Sequence, residues 1–280
     1  MTDLLLAAES YWWVFYIGTI VVFLATVEVG FLLGRSRRGK TDPEAKSQAG
    51  TALAAILALL GFLLAVSFSI AEDRFMTRKQ LVLEEANAIG TTFLRTDFLM
   101  EPQRTRARRL LAEYVNVRLE ATKQPGTLQE GLKRSVEIQN ALWRIADKVA
   151  AQRPRSEPVG LFIDALNETI DLHEERVTVS LRNRVPPSLL WTLYLVAFLS
   201  MGILGFHFGL GGTRNILAAS ALVFAFSAVM LLIVDLDQPR QRLFTVNQAA
   251  LEDTHRSISK ALESPPAKRG GSPDGKRRPP

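Results

Sequence analysis

Apolar residues gather in two blocks along the chain, one toward each end, with a polar stretch of more than a hundred residues between them. Four segments in these blocks approach or exceed the roughly 20 residues a helix needs to cross hydrocarbon. They are residues 11–34, 49–71, 188–210 and 215–234, the last with its apolar run over Ile216–Val234. Four core helices of this length in a soluble protein would leave too little polar sequence to cover them. The pattern therefore predicts four membrane-spanning helices.

The polar stretch, residues 72–187, shows helical periodicity. Beyond Glu72, Asp73 and Arg74 the second span runs on in helix-compatible residues to about Met100, with no proline and one glycine, Gly90. Phe75, Val82, Ile89 and Phe93 share one face of this extension. They predict a long helix that carries an apolar stripe out of the membrane, part of it meeting neighbouring subunits. Pro102 marks the next start, since proline fits a first helical turn. Leu110, Leu111, Tyr114, Val115 and Leu119 give that helix its apolar face as far as Pro125-Gly126. A third helix places Leu128, Leu132, Val136, Leu142, Trp143 and Ala146 on its buried side, until Pro154 and Pro158 break it. A fourth runs from about Val159 to Val185 and ends at Pro186-Pro187. Period-two alternation and hairpin turn dipeptides are missing. The fold class is all-α: four transmembrane helices with a helical extramembrane domain between spans two and three.

Shorter segments complete the plan. A polar loop, Arg35 to Gln48, joins spans one and two, and a glycine-rich turn, Gly209 to Asn215, joins three and four. Residues 235–263 form a post-span helical segment through Phe244, Leu251 and Ile258. Residues 264–280, rich in proline and glycine, read as a disordered basic tail. Five cations (Lys268, Arg269, Lys276, Arg277, Arg278) against Asp274 supply most of the net charge of +6. Such a tail is most simply solvated, although it suits anionic lipid headgroups. The first span is not a cleaved signal peptide, because Asp3 and Glu9 stand where basic residues belong and the apolar run is too long. With no cysteine in the chain, disulfides and thiolate metal sites are excluded.

Signals for catalysis are weak. His173-Glu174-Glu175 begins like a zinc-protease helix, but the second histidine would fall at Val177. The chain has three histidines, none spaced as a metal pair, and neither a phosphate loop nor a nucleophile elbow. The expectation is no enzyme, no metal and no cofactor. Arg104, Arg106, Arg108 and Arg109 form a basic run without aromatic or groove-reading neighbours, which reads as a solvated helix face and not a nucleic-acid site. Glu28 is a carboxylate inside an apolar helix, and such groups face a bundle interior, a hydrated path or the interface. It lies about 9 Å of helix from Gly34, so interfacial pairing with Arg35 or a neighbouring helix is the alternative to a hydrated path. His207, near the end of the third span, favours the interface more strongly. Two charged clusters, Glu72-Asp73-Arg74 and Glu174-Glu175-Arg176, flank the membrane and either pair across the neck or cap their helices.

Several of these residues resemble a known family. Leu60-Gly61-Phe62-Leu63-Leu64-Ala65-Val66, followed by Asp73-Arg74-Phe75, is similar to the second span of bestrophins. Glu175-Arg176-Val177 with Pro186-Pro187 resembles the pattern before their third span, and Asp237-Gln238-Pro239 through Leu251 the segment after the fourth. Glu85-Ala86-Asn87-Ala88-Ile89-Gly90 and Asp235-Leu236-Asp237-Gln238-Pro239-Arg240 look more specifically like the bacterial bestrophin-like family, over about residues 15 to 255. The sequence departs from bestrophins at Phe75-Met76, where a tryptophan pair is usual, and in a longer interval from Arg176 to Pro186. No dense acidic cluster follows the fourth span, which argues against a calcium clasp.

Bestrophins are pentameric anion channels whose second spans line the pore. The resemblance implies a homo-oligomer, a pentamer by analogy, that passes small inorganic anions such as chloride through the bacterial inner membrane. Counting back eight residues from Arg74 lands on Val66, and Phe62 and Ala58 follow at spacings of four on the same face. These three are the pore-lining expectation, with Leu59, Leu60, Leu63 and Leu64 packing against neighbouring helices. Glu28 is the intramembrane charge, and Asp73, Arg74, Glu175 and Arg176 are the neck charges. A membrane-anchored sensor or scaffold without transport is the competing reading. Sidedness divides: the basic loop (Arg35, Arg37, Arg38, Lys40) obeys the positive-inside rule if the domain is outside, whereas the family resemblance and the basic tail imply a cytoplasmic domain, which is the expectation.

Overall fold

In hydrocarbon every backbone N–H and C=O must be satisfied within the segment, which a helix achieves. The computed structural model describes residues 12–123, 127–181, 185–237 and 246–263, and among these every regular element is helical. They are α1 (Trp12–Arg37), α2 (Pro43–Arg95), a short 3-10 turn (Thr96–Phe98), α3 (Gln103–Lys123), α4 (Leu128–Gln152), α5 (Glu157–Leu181), α6 (Pro187–Gly211), α7 (Ile216–Asp237) and α8 (Ala249–Glu263). Helices α1, α2, α6 and α7 are long and apolar enough to cross a membrane. The chain divides into a membrane unit, Met1–Lys79 with Val177–Val246, and a polar unit, Gln80–Arg176 with Asn247–Pro280. Asp3, Glu9, Pro125-Gly126, Gln238 to Phe244 and the basic tail lie outside the described residues.

Helix ends differ from the sequence expectation in several places: α7 runs on to Asp237, and the post-span helix expected from 235 opens only at Ala249. The loop expected over Arg35 to Gln48 is shorter, since α1 continues to Arg37 and α2 opens at Pro43. A proline in the first turn has no N–H to leave unpaired, and Glu44 beside it complements the helix dipole. By the same logic Pro158 opens α5 instead of breaking a helix.

The membrane unit packs around Phe23, Leu60, Leu64, Leu193, Ala197, Met201, Val223, Met230 and Ile233. Its tightest contact is a glycine seam between α1 and α6, which run in the same direction. A Cβ built on Gly34 would fall 2.1 Å from the Phe206 carbonyl oxygen, and one on Gly30 2.2 Å from that of Gly202. From the other side, a Cβ on Gly205 would fall 2.0 Å from the Val27 oxygen and one on Gly209 2.3 Å from that of Phe31. No side chain fits there. Gly30 and Gly34, like Gly205 and Gly209, are four apart, the small-xxx-small spacing that lets membrane helices approach backbone to backbone. The seam places Trp13 and Trp191, both exposed, toward one end of the bundle, where amphipathic rings suit the headgroup level. At the other end, α6 closes on Gly212, whose φ of +73° satisfies the last carbonyls in a left-handed cap.

Where the apolar run of α2 ends, Arg78 is buried and donates to the carbonyl oxygens of Leu236 and Asp237 at the end of α7. A cation at a helix C-terminus opposes the negative end of the dipole. The Asp237 carboxylate accepts a 2.7 Å bond from the backbone N–H of Val185.

In the polar unit, α2 residues Val82, Ile89 and Phe93 are buried within their own chain. The expectation that this stripe meets neighbouring subunits is therefore corrected for these three; Phe75 packs on the core of the membrane unit. On α4 the buried face is Ser135, Ile138, Leu142, Ile145, Ala146 and Val149. Val136 and Trp143, expected inside, are exposed. Each directly follows a buried residue, Ser135 or Leu142, and the 100° step turns it off the edge of the buried face. Leu251 and Ile258 bury the apolar side of α8.

Candidate functional site

The face of α2 that carries Ala58, Phe62 and Val66 is exposed, Phe62 by 65% and Val66 by 38%. The opposite face is occupied within the chain, with Leu60 and Leu64 in the core and Leu63 packed against it. Leu59, expected among the packing residues, is exposed beside Phe62. A large aromatic held outward on a rigid span, with small neighbours at Ala58 and Gly61, is free to meet another helix, lipid or an axial pathway.

Glu28 is paired, and not with Arg35. Its Oε1 accepts from Arg214 Nη2 at 2.8 Å, and the Arg214 guanidinium lies 4.6 Å from the centroid of the Phe31 ring. Arg214 belongs to the turn between α6 and α7, so the carboxylate is held toward the membrane edge and both partners are half exposed. Of the charged clusters, Glu72, Asp73, Glu174 and Glu175 are exposed and Arg74 is partly buried. The basic run is less solvated than expected: Arg104 pairs with Glu101, and Arg108 with Asp97 while covering the face of Phe93. Arg106 and Arg109 are exposed.

The one charged residue of the clusters that is deeply buried, Arg176, belongs to a network centred on Glu85. Glu85 lies on α2 beyond the apolar run and has no exposure at all. Arg118 on α3 clasps it with a fork, Nε to Oε1 at 2.9 Å and Nη2 to Oε2 at 3.2 Å. Arg176 on α5 donates through Nη1 to Oε2 and through Nη2 to Gln248, ahead of α8, at 2.8 Å. Tyr114, one turn from Arg118, donates its hydroxyl to Oε1 at 3.0 Å. That commits the only phenol proton, so His173 Nδ1, 3.1 Å from the Tyr114 oxygen, must be the donor to it, with Gln139 Nε2 on α4 a second at 3.4 Å. One carboxylate thus gathers four helices and the segment leading into a fifth.

The electrostatics follow from burial and charge. Burial raises the Glu85 pKa, but Arg118 and Arg176 outweigh it and bring the group down from 4.5 to about 2. Burial lowers His173 from 6.5 to about 4, and Arg118 adds to the effect, so the ring is neutral at pH 7. Burial also pushes the Tyr114 hydroxyl up, with Glu85 adding to it. Two guanidiniums against one carboxylate leave the network with an excess positive charge. It binds helices together through charge-assisted hydrogen bonds. Among the described residues, no three metal-ligating side chains converge. The network went unread in the sequence, although its signal was there: Glu85 stands in the apolar face made by Leu81, Val82 and Ile89.

Comparison with known proteins bears on the whole of this arrangement. No curated protein is similar enough in sequence to match the chain. The fold matches crystal structures of a bacterial bestrophin homolog from Klebsiella pneumoniae: a mutant form at TM-score 0.65 and 13% identity, over 88% of this chain and 100% of that one. A second structure of that homolog aligns at 0.62 and 14%, over 89% and 99%. A further membrane-protein structure aligns at 0.66 and 12%, over 88% and 99%. At such identities the likeness is one of fold. Residues 12–251, both units together, match the bestrophin-like domain. The chain belongs to the bestrophin-like family.

Proposed function

We propose that this protein is an oligomeric anion channel of the bacterial inner membrane, five copies by analogy with bestrophins, passing ions such as chloride. The observation that carries the reading is the division of α2 into two faces. Leu60 and Leu64 are used up inside the chain, whereas Ala58, Phe62 and Val66 stay exposed along one line. Around a symmetry axis, this line would stack three apolar rings in which a permeating ion is poorly hydrated, so ring width controls passage. The role is one of conduction and not catalysis, and the polar unit lies in the cytoplasm.

Ion flux from purified protein in liposomes tests this. Chloride efflux should depend on protein, and Phe62→Ala and Val66→Ala should raise it severalfold with little change in melting temperature. Leu60→Ala, in the core, should instead cost about 2–5 kcal/mol of stability. An absence of flux, or a stable monomer in detergent, would favour the sensor or scaffold reading. Gain of flux at Leu63 or Leu64 but not at Phe62 or Val66 would reassign the pore face.

A further inference from the structure

The glycine seam has a consequence at the end of the membrane unit away from Trp13 and Trp191. Because α1 and α6 run together to their last turns, a Cβ on Gly209 would meet the backbone nitrogen of Arg35 at 2.7 Å. The basic segment after α1 is thereby drawn onto the α6–α7 turn. Arg38 lies over Gly212 so closely that a Cβ there would fall 2.1 Å from its Cζ. Two residues on, Arg214 reaches back to Glu28 and covers Phe31. Arg35, Arg37, Arg38 and Lys40 are all exposed. With Lys46 and Arg214 they make six cations against Glu28, Asp42 and Glu44. Among the described residues, Arg214 is the member of this collar in an ion pair. The collar follows directly on the apolar run that ends at Gly34 and precedes the one that begins at Ala49, which fixes it at the hydrocarbon–water boundary.

We propose that this collar docks the phosphate headgroups of anionic phospholipids, with Arg35 and Arg38 as the principal donors. A guanidinium presents a planar fork that suits phosphate oxygens. Cations at the membrane surface are attracted to anionic lipid. A headgroup held there would bridge the α1–α2 connection and the α6–α7 turn, joining two parts of the sequence about 175 residues apart. The inference needs only the membrane setting and holds whether or not the protein conducts.

The test uses the full chain in detergent with added phosphatidylglycerol or phosphatidylcholine, reading lipid retained by native mass spectrometry and the melting temperature. Phosphatidylglycerol should be retained and should raise the melting temperature, less so at high salt, and phosphatidylcholine should do neither. Arg35→Gln with Arg38→Gln should weaken retention by roughly fivefold per cation removed. Arg106→Gln with Arg109→Gln, which removes the same charge from exposed positions of α3, should leave it unchanged. If the first pair disturbs folding, Arg37→Gln with Lys40→Gln should show a smaller loss in the same direction, and no loss there would count against the collar. Equal retention of the two lipids, or retention unaffected by the collar variants, overturns the proposal. So does displacement of the lipid by millimolar inorganic phosphate, which would mark a site for the free ion.

Discussion

Glu85 shows what one residue can decide. Its carboxylate is surrounded by Arg118, Arg176 and Tyr114, all buried. Glu85→Gln leaves two guanidiniums in a dry interior without their anion, and should cost about 3–5 kcal/mol. His173 gives the network a dependence on pH with a definite sign. Its pKa is depressed to about 4 in the fold from 6.5, so between those values the unfolded chain binds a proton that the folded one does not. Stability is then full above about 6.5 and is lost as pH falls toward 4, by about 3 kcal/mol at most. Overlapping the lower end of that window, Glu85 adds its own loss as pH falls from 4.5 toward 2. Chemical denaturation followed from pH 7.5 to 4 should show this slope, and His173→Gln should flatten it. An unaltered slope in the variant would show that the ring is solvated.

At the scale of elements, the α1–α6 seam separates glycines that look alike in the sequence. Gly205→Ala would drive a methyl group into the Val27 carbonyl, 2.0 Å from the Cβ position, so the two helices must part along their length. A loss of about 1–3 kcal/mol is expected, as for other overpacked interiors. Gly61 has nothing within 4 Å of its Cβ position. Gly61→Ala should be neutral or slightly stabilising through reduced chain freedom. Thermal unfolding in detergent compares the two directly, and equal effects would mean that the seam opens at little cost. The spacing of four in each helix hints at such contacts, but which glycine faces a partner is settled by the packing of helices far apart in sequence.

At the scale of the whole molecule, a cytoplasmic polar unit follows the family analogy and runs against the charge of the short basic loop. The absence of native cysteine makes single-cysteine labelling unambiguous. Ser47→Cys and Gln129→Cys are both exposed positions, one early on α2 and one on α4. We expect an impermeant thiol reagent to label Ser47→Cys and not Gln129→Cys in intact cells; the reverse would place the polar unit outside. The four spans, the all-α class and the order of the helices are legible in the sequence. Those features depend on local quantities: the length of apolar runs, helical period, and proline at helix starts. On α4 the sequence placed Leu142 and Ala146 correctly but set the edge of the buried face too wide, because Val136 and Trp143 are as apolar as their buried neighbours and only contact distinguishes them. It could not show that Glu28 pairs with Arg214, that Arg176 closes on Glu85, or that Arg38 covers Gly212. These contacts join residues between 91 and 186 positions apart. The tertiary structure decided them, because the partner of a charge and the neighbour of a glycine are fixed by how helices pack, and a single stretch of sequence carries no record of that.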